Sequence, residues 1–167
     1  CMRVTEFFVV IPEIFLALAI VAVLGPSINN IIFVIGILSW PTTGRLTRAE
    51  YLSQKEREYV QASRALGESE TRIMFSEILP NAAPPIVVNS SLLVGRAILV
   101  EAGLSFLGLS DPQIPSWGRM LQMAQMYLRD AWWMALFPGL AIFLSVLAIN
   151  LVGDGLNDVL NPRLRER

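Results

Sequence analysis

The sequence contains no histidine, a single cysteine at its first position, and few charges, only 16% of its 167 residues. Without histidine there is no imidazole to activate a serine or cysteine nucleophile, and the commonest metal ligand is missing. A lone cysteine excludes an internal disulfide. No glycine-rich loop ending in lysine is present to cradle a triphosphate, so the chain is expected to hold no cofactor and to hydrolyse no ATP itself. An intramembrane aspartyl protease needs two span-embedded aspartates, whereas Asp111, Asp130, Asp154 and Asp158 all fall in loops or at segment ends. The net charge is -1 and the basic residues are dispersed rather than patched, which excludes nucleic acid as a partner. No small-residue cleavage site follows the opening apolar run, so a secretory leader is not expected.

What the chain has instead is apolar length. It is 54% hydrophobic with a mean hydropathy of +0.54, and its charged fraction lies well below the ~25% of soluble domains, so the class expected is an all-α polytopic membrane protein. Phe7 to Leu24 is long enough, with its flanks, to cross a hydrocarbon core of roughly 30 Å. Gly25-Pro26-Ser27 turns the chain into a second span over residues 28–44, where Pro41 to Gly44 are expected to kink the helix before Arg45 and Arg48 reach water. Glu13 inside the first span either faces a protein interface or aqueous cavity, or lies at the membrane edge. A third span is expected over 82–103 and a fourth over 131–152, ended by Gly153 and Gly155. The whole chain is read as one transmembrane domain, 1–167, with a cytoplasmic loop at 45–80 and an outer loop with a surface helix at 104–130.

Residues 45–77 carry six basic and six acidic side chains and cannot lie in the bilayer. Arg45, Arg48, Lys55, Arg57, Arg64 and Arg72 outweigh Arg119 and Arg129 across the membrane, so this loop is assigned to the cytoplasm, and an even number of crossings puts both termini there too. Within it, Tyr59 to Leu66 has helix-forming composition, and Gly67 suits the left-handed residue that closes a helix. Ser69 then caps a second short helix, which carries Ile73, Met74, Ile78 and Leu79 as protruding apolar side chains among Glu70, Arg72 and Glu77. Pro80 is expected to end it, and Asn81 to cap the next helix with Pro84 in its first turn. Such an elbow suits a groove on a soluble partner; the plainer alternative is a solvated loop.

The third span carries polar Asn89, Ser90 and Ser91, then Arg96 and Glu101. Arg96 and Glu101 are five apart, about 140° round a helix, so they satisfy different neighbours rather than each other. For Arg96 the choices are structural pairing, snorkelling or substrate contact. Residues 104–118 combine Gly108, Pro112, Pro115 and Gly118 with Phe106, Leu107, Leu109 and Trp117. Irregular apolar backbone at membrane depth must be buried in protein or line a cavity. Trp117, Trp132 and Trp133 read as interfacial anchors. Arg119 to Asp130 reads as an outer-surface amphipathic helix whose Met120, Met123, Met126 and Tyr127 share one side; with neither histidine nor cysteine beside them, these methionines indicate packing rather than metal.

Three stretches carry a family resemblance. Gln61-Ala62-Ser63, Gly67 and Leu79-Pro80 keep the spacing of the cytoplasmic Glu-Ala-Ala loop (EAA motif) of bacterial and archaeal ABC-importer permeases, with Gln61, Ser63 and Glu77 departing from its usual residues. Glu101-Ala102-Gly103-Leu104-Ser105-Phe106-Leu107-Gly108-Leu109, followed by Pro115-Ser116-Trp117-Gly118, resembles the second (C-type) subunit of the dipeptide/oligopeptide branch. So does Asn150-Leu151-Val152-Gly153-Asp154-Gly155-Leu156-Asn157-Asp158, with Asn161-Pro162-Arg163 behind it. The resemblance covers essentially the whole chain and implies further spans ahead of Phe7, so that the chain is expected to be an N-terminally truncated subunit.

The resemblance implies a multi-pass permease in the cell membrane of a bacterium or archaeon. It would form the path with a second permease subunit, be driven by two cytoplasmic ATP-binding subunits that hold the ATP and magnesium, and receive solute from an extracytoplasmic binding protein. It places ATPase coupling on Gln61, Ala62, Ser63, Gly67, Ser69, Arg72, Ile73, Met74, Leu79 and Pro80, and an outer-side re-entrant loop after Gly103. The candidates along the path are Asn89, Arg96, Glu101 and Phe106. The rival readings are half of an ion-coupled secondary transporter, for which Glu13 and Glu101 are the titratable candidates, and a non-transporting membrane scaffold.

Overall fold

A computed structural model describes residues 11–160, and these are helical with no strand among them. The first four residues of the first expected span, 7–10, therefore lie outside the described residues, as do Asn161-Pro162-Arg163. Helix α1, Glu13–Leu24, enters through Pro12 and is closed by Gly25 at φ +92°. The side chain of Asn30 donates to the carbonyls of Leu24 and Gly25, both at 3.0 Å, which satisfies acceptors that the end of α1 leaves free. Helix α2 runs unbroken over Ile28–Lys55, with Pro41 inside it. The expected second span and the first part of the expected cytoplasmic loop are thus one rod of 28 residues.

After a short bend come α3, Glu58–Ala65, and a single turn α4, Glu70–Arg72. A π-helical stretch, Ile73–Ile78, then leads directly into α5, Leu79–Phe106. From Glu70 to Phe106 the chain is one continuous helix of 37 residues. The break expected at Pro80 does not occur. Leu79 N–H bonds five residues back to the carbonyl of Met74, and this wider turn takes up the proline, whose missing N–H would otherwise interrupt an i→i−4 ladder. Asn81 caps no new helix. Its side chain instead donates to the carbonyl of Glu77 at 2.7 Å, and Pro84 and Pro85 sit inside α5.

Past Phe106 the chain is irregular until α6, Trp117–Ala124, which passes through a 3₁₀ turn, Gln125–Tyr127. Helix α7, Trp133–Leu160, closes the described chain. It continues through Gly153 and Gly155 rather than ending there. The reason at Gly153 is packing: α5 and α7 form the most extensive helix pairing, and a methyl group on Gly153 would collide with Ser91 Oγ. Gly95 plays the same part on α5, where a methyl would stand 3.3 Å from Asn150 Oδ1. Small residues at both crossings let the two backbones approach as membrane helices do.

The main core is small: Ala17, Val21, Ile31, Val34, Leu38 and Leu104, joining α1, α2 and α5. Large apolar side chains such as Phe15, Phe33, Leu99, Phe137 and Phe143 stay exposed, the reverse of a water-soluble helical domain. Among the described residues two helices, Glu70–Phe106 and Trp133–Val159, are long and apolar enough to cross a membrane, while Glu13–Leu24 is a shorter apolar helix. The fold is that of an all-α membrane protein.

Candidate functional site: a rigid elbow and a groove at the opposite end

The elbow is built from its turn outward. Gly67, at φ +80°, closes α3 with two hydrogen bonds: its own N–H to the Arg64 carbonyl at 3.0 Å, and Glu68 N–H to the Ser63 carbonyl at 3.2 Å. This doubly bonded left-handed cap needs a residue without Cβ strain. Two residues later Ser69 Oγ accepts from Arg72 N–H at 3.4 Å, capping α4. Arg64 spans the turn with a two-pronged contact to Glu70, Nε to Oε1 at 2.9 Å and Nη2 to Oε2 at 3.1 Å. That hydrogen bond raises the Arg64 pKa above its ordinary value. Arg72 approaches Glu68 at 3.7 Å.

Beneath the turn lies a second apolar cluster: Val60 from α3 with Ile73 and Ile78 from the π stretch, flanked by Tyr51 and Tyr59. Ile73 and Ile78 were expected to protrude; both are buried in the elbow's own core. In an α-helix, residues five apart diverge by about 140°, but a turn closed by i→i−5 bonds brings them to one face. The apolar side chains that do protrude are Leu66, 83% exposed, Phe75, 63% exposed, and Leu79, 44% exposed. Leu66 and Phe75 escaped the reading of the sequence, although their positions among charged residues were visible there. Burial pushes the Tyr59 phenol up, and the nearby Glu77 charge adds to the effect. Its hydroxyl donates to Gln54 Oε1 at 3.2 Å and so ties α3 to the end of α2. Gln61, Ala62 and Pro80 lie on the exposed surface, Ser63 and Met74 are half-buried, and Gln61 Nε2 donates to the Glu56 carbonyl at 3.3 Å.

The path candidates all lie on α5 but do not converge. Arg96 pairs with Glu13 of α1, a contact between a half-exposed guanidinium and a mostly buried carboxylate. Glu101 instead accepts from Ser105 Oγ at 2.6 Å, so the two charges serve different neighbours, as their spacing requires. Asn89 Nδ2 is buried with no hydrogen-bond partner among the described residues, and Phe106 is the half-exposed last residue of α5.

Two grooves flank these elements. One, of about 750 Å³, runs along Gly36, Trp40, Thr43, Thr47 and Tyr51 of α2 to Met74. The other, of about 540 Å³, lies between α2 and α5 and is closed by Trp117 and Met120 of α6. Helix α6 is seated by close contact: Ser116 Oγ accepts from Arg119 N–H at 3.3 Å, and a methyl on Gly118 would collide with the backbone of Ala102 and with Ser105 Cβ. Before it, α5 is closed by a left-handed cap at Gly108, φ +87°, where Leu109 N–H bonds the Leu104 carbonyl at 3.0 Å. Among the described residues no cluster of acidic side chains and cysteine is arranged to hold a metal.

Residues 1–166 match the family described as binding-protein-dependent transport system inner membrane component. The chain belongs to that family. It is 47% identical over 165 residues to a di/tripeptide transport system permease protein of Pseudomonas aeruginosa, a match covering 98% of this chain and 54% of the relative. It is 45% identical over 166 residues to the dipeptide transport system permease protein of Escherichia coli, covering 99% of this chain and 55% of that relative. The corresponding protein of Alkalihalophilus pseudofirmus is 43% identical over 164 residues, 98% of this chain and 54% of the relative. The chain thus spans about half the length of the curated relatives it matches.

Proposed function

We propose that the chain is the greater part of a permease subunit in an ATP-driven importer of di- or oligopeptides, and that the elbow is where ATPase subunits act on it. What supports this reading most is that the elbow is rigid and continuous with a membrane-length helix: caps, ion pairs and its own apolar core hold α3 to the 37-residue helix that becomes α5. Leu66 and Phe75 stand outside that core, as a docking surface requires. Two cytoplasmic ATP-binding subunits, carrying ATP and magnesium, would seat this surface, and their approach would tilt the spans as rigid bodies. A second permease subunit would complete the path, and an extracytoplasmic binding protein would deliver the solute at the α6 end. In this reading residues 45–80 and both termini are cytoplasmic, and the chain catalyses no reaction of its own. Family membership and the names of the relatives agree with it.

The pairing of Glu13 with Arg96 weighs against the ion-coupled alternative, because it commits one of that reading's two titratable candidates to a structural contact. The test is reconstitution of the full-length subunit, in liposomes, with its second permease subunit, the ATP-binding subunits and the binding protein. Peptide uptake that requires ATP and survives collapse of the ion gradients is expected. Uptake that follows an ion gradient without the ATP-binding subunits would overturn the assignment.

A further inference from the structure

The groove between α2 and α5 is walled by two matching stripes. Ile28, Ile31, Ile32 and Ile35 face it from α2, and Val94, Ala97, Ile98 and Glu101 from α5, each set at i, i+3, i+4 and i+7. Glu101 is the one titratable residue in this lining. An ionised carboxylate on an apolar wall is poorly compensated unless a cation or several donors meet it. Among the described residues it has one donor, the fully buried Ser105 hydroxyl at 2.6 Å, which fixes Oε1 and orients the group. Arg96, the cation closest in sequence on the same helix, is committed to Glu13, and no cation among the described residues pairs with Glu101. Trp117 lies in the same lining, an aromatic face of the kind that attracts ammonium groups. A volume of about 540 Å³ falls within the range of small-molecule sites.

We infer that this groove is a solute subsite in which Glu101 and Trp117 receive the amino-terminal ammonium of a short peptide while the isoleucine wall takes its side chains. The inference rests on the peptide-importer reading and names a group that this reading leaves open. Lining residues from α6 place the subsite at the far end of α5 from the elbow, where solute would enter.

The experiment measures binding of radiolabelled dialanine to the purified full-length permease pair with its ATP-binding subunits, without the binding protein. Bound dialanine should be displaced by unlabelled dialanine and not by its N-acetyl derivative. Glu101→Gln should weaken binding by about tenfold or more, the scale of a lost charge-assisted hydrogen bond. Glu101→Asp should recover part of it, and Trp117→Leu should weaken binding in a chain whose elution as an intact complex shows that it is folded. Equal competition by the N-acetyl derivative, or unchanged binding in Glu101→Gln, overturns the subsite while leaving the peptide reading intact. Failure of the intact transporter to import dialanine, with import of another solute class, overturns the peptide reading instead. With Cys1 replaced by Ser, Glu101→Cys should react with an aqueous maleimide in the assembled complex. Protection there means that another protein segment fills the groove, and overturns the proposal.

Discussion

Gly67, Gly118 and Gly36 are glycine for different reasons, and their alanine variants should separate accordingly. Gly67 has open space around a Cβ but a φ of +80°, so Gly67→Ala meets only the left-handed strain of about 1 kcal/mol. Gly118 has an ordinary φ but no room, and Gly118→Ala must push α6 away from Ala102, at about 1–3 kcal/mol. Gly36 has neither constraint, so Gly36→Ala should raise stability by about 0.5–1 kcal/mol. Thermal unfolding of the detergent-solubilised subunit checks the order. A Gly118→Ala loss smaller than that of Gly67→Ala would contradict the close α5–α6 crossing. The Glu13–Arg96 pair makes a related case. Arg96→Met strands a mostly buried carboxylate and should cost about 2–3 kcal/mol, whereas the double variant Glu13→Leu, Arg96→Met should regain most of that loss. Additive losses in the double variant would show that the two side chains do not meet.

At the scale of elements, Ile73 and Phe75 are neighbours with opposite duties. Ile73→Ala opens a cavity in the elbow core and should loosen it by about 2–4 kcal/mol, seen as faster proteolysis between α3 and α4. Phe75→Ala should leave proteolysis unchanged and weaken only attachment of the ATP-binding subunits. Raising pH tests the same core through Tyr59. Its phenol titrates above the ordinary value, so the folded elbow favours the neutral form; the contribution is complete below ~10 and disappears as pH rises through the folded value. Proteolysis of the elbow should therefore be steady from neutral pH to ~10 and accelerate beyond it, less so in Tyr59→Phe.

The same elements show what the sequence made legible. Gly67 and Ser69 announced a cap and a start, because their chemistry acts within a few residues. Pro80 misled, because whether a proline breaks a helix depends on the turn before it, and a π turn has no compositional mark. Burial of Ile73 and Ile78 follows from that turn and was hidden with it. Gly153 read as a terminator because its packing against Ser91 depends on a helix some sixty residues earlier, whereas nothing in the structure explains the glycine at 155. Arg96 and Glu101 could be recognised as strangers to each other from their spacing, but Glu13 as the partner of Arg96 could not.

On the scale of the whole molecule, the elbow forms a foot at one end and an apolar groove with one carboxylate lies at the other, and the 37-residue helix that begins inside the elbow at Glu70 runs on to Phe106. In the proposed reading a push at the foot would be carried along that helix. The central claim is that the foot contacts the nucleotide-hydrolysing partners, and site-directed crosslinking tests it most directly. With Cys1 replaced by Ser, Leu66→Cys and Phe75→Cys should each crosslink to an ATP-binding subunit in the assembled transporter, with yields that change between nucleotide-free and ATP-trapped states, while the buried Val60→Cys should not. Crosslinking of Leu66→Cys and Phe75→Cys to the extracytoplasmic binding protein, or to no partner in either state, would contradict the account.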